Sequence, residues 1–138
     1  MARFSRWFGL LFGGLLCWQG LVWAADGGGK AVRYVELKPT FVTNFGVSDT
    51  GHLRYVKADV TVRVTDRDAE YATRYHLPAL RDSLVLLLAR QDESTISSAS
   101  GRETIKVEAL QNLRSILERE EGASCIEDLM FTNFVVQR

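Results

Sequence analysis

The sequence has few cysteines, prolines and histidines and no excess of charge of either sign. Its 138 residues include 2 Cys, 2 Pro and 2 His, with 17 basic and 17 acidic side chains. Two cysteines are too few for a disulfide scaffold, and the balanced charge gives no indication of a nucleic-acid partner. A hydrophobic fraction of 46% excludes a disordered or low-complexity chain. The length suits one globular domain.

The motifs of common enzyme and metal sites are also missing. The sequence contains no His-Glu-x-x-His, Cys-x-x-Cys or Gly-x-Ser-x-Gly and no dinucleotide-binding glycine pattern. His52 lies beside a glycine turn and His76 lies close to Pro78, and we interpret both as surface or helix-capping side chains. We therefore predict no catalytic residue, no metal site and no cofactor.

The first 25 residues differ from the rest of the chain and are typical of a membrane-directed segment. Arg3 and Arg6 precede a run of 19 uncharged residues, 7–25. Basic residues before an apolar run stay on the cytoplasmic side of the membrane, so the residues after the run are exported. The side chains that we expect within the bilayer include Leu10, Leu11, Phe12, Leu15 and Leu16.

The sequence leaves open whether this segment is retained. A spanning helix needs about 20 apolar residues and the core of a signal peptide only about 7–15, and the run lies at the boundary. Trp18 and Trp23 favour a retained signal-anchor, because tryptophan is enriched at membrane interfaces. Val22 and Ala24 favour a signal peptide, because signal peptidase accepts such residues before its cleavage site.

A flexible tether over residues 26–31 separates this segment from a folded domain, residues 32–138. Three consecutive glycines in the tether neither propagate a helix nor pack. Strands are predicted at 32–37 and 41–45, separated by Pro39, and a turn at 48–51. The clearest strand is 53–64, because apolar and polar residues alternate. Its polar face is either solvated or an assembly surface and carries Tyr55, Lys57, Asp59, Thr61 and Arg63.

Helices are predicted after this strand. Asp66 is a capping residue for the first, and Pro78 is expected to begin the second, where leucines recur on one face. The polar, serine-rich residues 92–100 predict a loop. Ser100 and Glu103 have the spacing of a capping box for a third helix with its own apolar face.

The chain ends with a predicted strand. Gly122 is expected to end the third helix, and residues 126–137 are rich in aromatic and β-branched side chains. The order of strands, helices and strand predicts an α+β fold, with a mainly antiparallel sheet and helices on one face.

Two features near the end of the domain leave alternatives. Cys125 is interpreted as a small buried residue, with an intermolecular disulfide as the alternative. The acidic residues Glu118, Glu120 and Glu121 beside Arg119 predict a solvated helix end, with a partner-binding patch as the alternative. Acidic residues at a helix C-terminus are mildly unfavourable, and the sequence gives no reason for them.

Five blocks in fixed order resemble the flagellar basal-body protein FliL family. They are YVELKPTFVTNF, LRYVKADVTVRV, YHLPALRDSLVLLLARQ, SGRETIKVEAL and MFTNFVVQ. The resemblance covers roughly residues 34–137. Its most specific positions are Asn44, His76, Pro78, Arg81, Ser100, Gly101, Phe131, Thr132, Phe134, Val135 and Gln137.

The resemblance implies a single-pass protein of the bacterial inner membrane with its C-terminal domain in the periplasm, at the flagellar basal body. It implies a stomatin/prohibitin-like domain fold, a homo-oligomeric ring around the stator, and support of torque, swimming, swarming and chemotaxis. The implied partners are stator and basal-body proteins, and no enzymatic activity is implied. The short cytoplasmic tail departs from the family pattern, and cleavage after Ala24 would give a free periplasmic domain.

A periplasmic module that binds a small ligand or peptidoglycan is the alternative function. Such a module would need a concave apolar pocket with convergent polar groups.

Overall fold

The computed structural model describes residues 31–46 and 52–138. The predicted membrane-directed segment, residues 26–30 of the tether and the predicted turn at 48–51 lie outside the described residues. The described part contains, in chain order, β1 (Arg33–Glu36), β2 (Phe41–Asn44), β3 (Tyr55–Val64), α1 (Arg67–Tyr75), α2 (Leu77–Ala89), α3 (Glu93–Ser97), α4 (Ala99–Glu121) and β4 (Ile126–Gln137).

The strands form one antiparallel sheet with β3 in the middle. Along one edge of β3, β1 pairs with its C-terminal half and β2 with its N-terminal half. Along the other edge, β4 pairs with the whole length of β3. The cis peptide bond Lys38–Pro39 lies between β1 and β2, where the proline interrupts the edge. The predicted antiparallel sheet and the α+β class are confirmed.

The core lies between the sheet and the helices. All even-numbered residues of β3 from Val56 to Val64 are at most 3% exposed, as their alternation predicts. The apolar faces predicted for the second and third helices are confirmed. The buried residues of α2 and α4 that share this core are Leu80, Leu84, Leu87, Leu88, Ile105, Ala109, Leu113 and Leu117.

The predicted ends of three helices are confirmed or nearly so. The Asp66 carboxylate accepts a hydrogen bond from the Ala69 N–H at 2.8 Å and caps α1. Pro78 is the second residue of α2, one position later than expected, where the first turn still leaves backbone N–H groups without helical partners. Gly122 ends α4 with a left-handed φ of 74°.

The prediction of a loop over residues 92–100 is wrong. The segment forms the short helix α3 and then the start of α4. The Asp92 carboxylate caps α3 by accepting a hydrogen bond from the Thr95 N–H at 2.7 Å. Ile96 is completely buried in the core and, together with the Asp92 cap, anchors this helical turn in a serine-rich segment.

The predicted capping box at Ser100 and Glu103 is wrong as well. Ser98 caps α4, because its backbone is extended and its hydroxyl accepts a hydrogen bond from the Gly101 N–H at 3.0 Å. Ser100 lies inside the first turn of the helix. Three serines and an alanine precede Gly101, so the sequence spacing fits more than one capping position.

Candidate interaction surface

The described residues contain neither a metal cluster nor a membrane-spanning helix. Within 31–46 and 52–138, no group of three or more His, Cys, Asp or Glu side chains is placed to hold a metal ion. No helix in these two ranges is long and apolar enough to cross a bilayer.

One face of the sheet points away from the helices, and we call it the outer sheet face. It carries the odd-numbered residues of β3, which include the predicted polar face, and the residues paired with them in the neighbouring strands. These paired residues are Tyr34, Glu36, Val42, Asn44, Asp128, Met130, Asn133, Val135 and Gln137.

The outer sheet face exposes apolar and tyrosine side chains on a polar background. Val42 and Val135 flank Lys57 in one row across three strands and are 62% and 46% exposed. Tyr55 is exposed in the next row, and Tyr34 is 53% exposed at the other end. Tyrosine and apolar groups of this kind are enriched where proteins bind one another. The sequence predicted the β3 residues of this face and missed the flanking ones, because strand pairing brings them in.

A cleft of about 460 Å³ interrupts the middle of the outer sheet face. The connection between β1 and β2 lies on one side of it, and a bulge in β4 at Thr132 lies on the other. Thr61 lies on the predicted polar face of β3 but is only 9% exposed, because it lines the cleft. The cleft walls, which include Lys38 and Pro39, shield it.

The charged groups of the cleft are already hydrogen-bonded. The Asp59 carboxylate accepts hydrogen bonds from the Thr40 hydroxyl and from the Asn133 side-chain amide, and these lower the pKa of Asp59. The ammonium group of Lys38 lies 2.6 Å from the Glu36 carboxylate, and this hydrogen bond raises the pKa of Lys38. Both groups are therefore ionised at neutral pH, and the cleft carries charges of both signs.

Arg81 of α2 holds the connection that forms one wall of the cleft. Its guanidinium donates hydrogen bonds to the carbonyl of Leu37, at 2.6 Å, and to the carbonyl of Pro39. It also lies over the ring of Phe41, 4.1 Å from the centroid. Burial lowers the pKa of Arg81. The resemblance had marked Arg81, and the structure gives it a positioning role that the sequence alone did not suggest.

The side chain of His76 makes no helix-capping hydrogen bond, and its partner is instead one of the acidic residues at the end of α4. Its Nε2 lies 2.6 Å from the Glu121 carboxylate and joins the α1–α2 junction to the last turn of α4. His52 is exposed, which agrees with its interpretation as a surface residue.

Cys125 is half-buried. Its thiol donates a weak hydrogen bond to the Ala123 carbonyl at 3.4 Å, and burial raises the pKa of the thiol, which keeps it protonated. The partial burial is less than the predicted full burial. An intermolecular disulfide through this residue stays a prediction.

The predicted targeting residues lie outside the described residues. They are Arg3, Arg6, Leu10, Leu11, Phe12, Leu15, Leu16 and Ala24.

The described residues form an α+β domain whose sheet has one helix-covered face and one open face. The family model described as "Flagellar basal body-associated protein FliL" matches residues 34–137. This match includes nearly all of the described elements, so the chain belongs to the FliL family of flagellar basal body-associated proteins.

Curated relatives agree with this assignment. The flagellar protein FliL of Aquifex aeolicus (strain VF5) is 26% identical over 102 residues, which are 74% of this chain and 60% of the relative. The flagellar protein FliL of Escherichia coli (strain K12) is 26% identical over 98 residues, which are 71% of this chain and 61% of the relative. The chain therefore matches about 60% of the length of these relatives.

Proposed function

We propose that this protein associates with the stator at the flagellar basal body and supports motor torque, and thereby swimming, swarming and chemotaxis. The match of residues 34–137 to the FliL family carries this proposal. The protein acts by binding and not by catalysis, and it uses no cofactor.

In this proposal residues 1–25 are a retained inner-membrane helix and residues 32–138 form a periplasmic, stomatin/prohibitin-like domain. Copies of the domain assemble as a ring around the stator. The charge pattern of Arg3 and Arg6 before an apolar run supports this orientation. The intact mass of the protein from the membrane fraction tests retention. A mass that lacks residues 1–24 would overturn it and leave a free periplasmic domain.

The outer sheet face is the surface that we propose for assembly or stator contact. Its exposed valines and tyrosines are not needed to fill the core, and they give apolar area that a partner buries. The fixed charges of the cleft give such a contact a defined register, because a misplaced partner would leave Asp59 or Lys38 facing a like charge.

The proposal is tested by motility of a deletion strain of the native host that carries the gene in trans. The full chain is expected to restore swimming and swarming, and the double variant Val42→Glu, Val135→Glu is expected to restore them poorly. A charged side chain on each side of Lys57 disfavours an apolar contact and leaves the core intact.

Val107→Glu is the matched control. Val107 is 49% exposed on α4 and is not part of the outer sheet face. Full rescue by this variant and by the double variant would overturn the assignment of the surface. Normal motility of the deletion strain would overturn the proposed function.

The cleft favours a second function, binding of a small ligand or a peptidoglycan fragment. Its volume lies in the range of ligand sites, and polar groups converge on it, although its walls are more polar than is usual for such sites. Titration calorimetry of the full chain with soluble muropeptides tests this function. Binding that is lost in Asp59→Asn would support it, and no heat of binding would exclude this ligand class.

A further inference from the structure

The outer edge of β4, which faces away from β3, is unpaired, and what it binds can be inferred independently of the proposed function. Within the described residues, β4 pairs with β3 along one edge and no strand pairs with its other edge. An unpaired edge presents backbone N–H and C=O groups to any extended chain, and most proteins block such edges.

The direction of the backbone groups follows from the ladder. The Leu37 N–H donates to the Val60 carbonyl at 2.9 Å, so the even-numbered residues of β3 bond toward β1 and β2. The odd-numbered residues of β3 then bond toward β4. Val135 and Gln137 lie opposite odd-numbered residues. Phe134 and Val136 therefore turn their N–H and C=O groups to the outer edge.

The first half of this edge is blocked by side chains. The Arg114 guanidinium donates to the carbonyls of Ile126 and Glu127, both at 2.8 Å. The N–H of Leu129 donates to the Asp128 carboxylate at 2.8 Å. These contacts use the groups with which another strand would pair.

One of the blocking side chains, Arg114, belongs to a basic stripe on α4 that also contains Arg102 and Lys106, at four-residue multiples. Lys106 lies 3.5 Å from the Asp128 carboxylate and holds it near the edge. The first member of the stripe is used differently. The Arg102 guanidinium lies 6.0 Å from the centroid of the Phe134 ring and blocks no backbone group of β4 by a described contact.

The second half of the edge, after the bulge at Thr132, is open among the described contacts. A groove of about 380 Å³ runs beside it, with Ala99 and Arg102 on the helix and Phe131 and Phe134 on the strand. Residues 129–137 contain no charged side chain. The groove therefore offers an apolar floor and an unpaired strand edge side by side.

We infer that this groove binds an extended segment of a partner protein, which adds a strand to β4 at Phe134 and Val136. Strand addition of this kind takes its affinity from backbone hydrogen bonds and its specificity from side-chain pockets at alternate positions. The segment carries apolar residues at alternate positions that cover Phe131 and Phe134. It also carries a carboxylate that pairs with Arg102.

The charges of the groove favour a carboxylate on the bound segment. In the described residues Arg102 donates to the Ser97 carbonyl at 3.1 Å and forms no ion pair with a carboxylate. Lys106 is matched by Asp128. Glu103 lies at the border of the groove and also lines a depression on the opposite side with Thr104 and Val107. An acidic group beside the edge therefore meets the cation of Arg102 first.

The test selects random dodecapeptides displayed on phage against the purified full chain. We expect enrichment of peptides that have alternate apolar residues and an acidic residue. Val136→Pro removes an N–H group that faces the outer edge and leaves the hydrogen bonds to β3 in place. It is expected to weaken the binding of the selected peptides by about tenfold. Val136→Ala is the matched control, since it loses the same side chain and keeps the N–H. Arg102→Gln is expected to weaken the acidic peptides by about threefold.

Two measurements separate the outcomes. Hydrogen exchange of the full chain is expected to be faster at the amides of Phe134 and Val136 than at those of Val135 and Gln137, and equal protection would overturn the open edge. The proposal that the groove binds a peptide would be overturned if the selection enriched no peptides. It would also be overturned if the selected peptides bound Val136→Pro and Val136→Ala equally well. Sedimentation that shows a dimer lost in Val136→Pro would assign the edge to a second copy instead.

Discussion

The two faces of the sheet carry apolar side chains from the same strands with different consequences. In β3 the even-numbered residues are buried under the helices, whereas Val42 and Val135, which flank Lys57 on the outer sheet face, are 62% and 46% exposed. Burial of apolar area stabilises a fold, so the first set holds the domain together and the second adds little. The alternation of a strand therefore identifies its core face, whereas the function of the other face depends on the molecule that contacts it.

The largest expected difference is between two alanine substitutions, one on each face of β4. Leu129→Ala opens a cavity under the helices and is expected to lower the free energy of unfolding by about 2–5 kcal/mol. Val135→Ala on the outer sheet face is expected to lower it by less than about 0.5 kcal/mol. Urea unfolding of both variants measures the difference. Equal losses would mean that the outer sheet face is packed in the isolated protein.

The helical side of the domain is also intolerant of added volume. A Cβ atom at Gly101 would lie 1.9 Å from the Thr95 carbonyl oxygen, between α3 and α4. Gly101→Ala is therefore expected to lower the free energy of unfolding by about 1–3 kcal/mol, because backbone must shift. Gly122→Ala at the exposed end of α4 has free space and only an unfavourable φ. A larger loss at Gly122 than at Gly101 would contradict the close approach of the two helices.

A smaller effect distinguishes two serines at the start of α4. Ser98→Ala removes the hydroxyl that accepts from the Gly101 N–H, and it is expected to lower the free energy of unfolding by about 1 kcal/mol. Ser100 lies inside the first turn of α4 with an exposed side chain, so Ser100→Ala is expected to change the free energy of unfolding by less than about 0.5 kcal/mol. Thermal unfolding of the two variants decides between the observed cap and the one that the spacing predicted.

The position of the α4 cap, at Ser98 and not at Ser100, is one feature that the sequence did not predict. Long periodic elements were predictable, because β3 and the apolar stripe of α4 repeat a signal over many residues. The segment around α3 was not, since its helix depends on the burial of Ile96 and on the Asp92 cap, and five residues carry no period. A polar composition therefore concealed an ordered segment.

The candidate surface was predictable only in part. The odd-numbered residues of β3 follow from alternation, but Val42, Val135 and the bulge at Thr132 join them only through pairing in space. The blocked and open halves of the β4 edge depend on which backbone groups Arg114 reaches. Such long-range contacts leave no local pattern in a single sequence.

The smallest expected effect concerns the polar contribution of the outer sheet face. Hydrogen bonds from Thr40 and Asn133 lower the pKa of Asp59 below its ordinary value of 3.8. A carboxyl group whose pKa is lowered in the folded state stabilises the fold when the pH lies above the ordinary pKa of the group. This contribution is lost as the pH falls through the folded-state pKa. Asp59→Asn is therefore expected to lower the melting temperature slightly at neutral pH, with a gap to the wild type that closes in acid. Thermal unfolding across this range measures the gap, with Asp82→Asn on α2 as the control. A gap that stays constant in acid would mean that the outer sheet face contributes through packing and not through this charge.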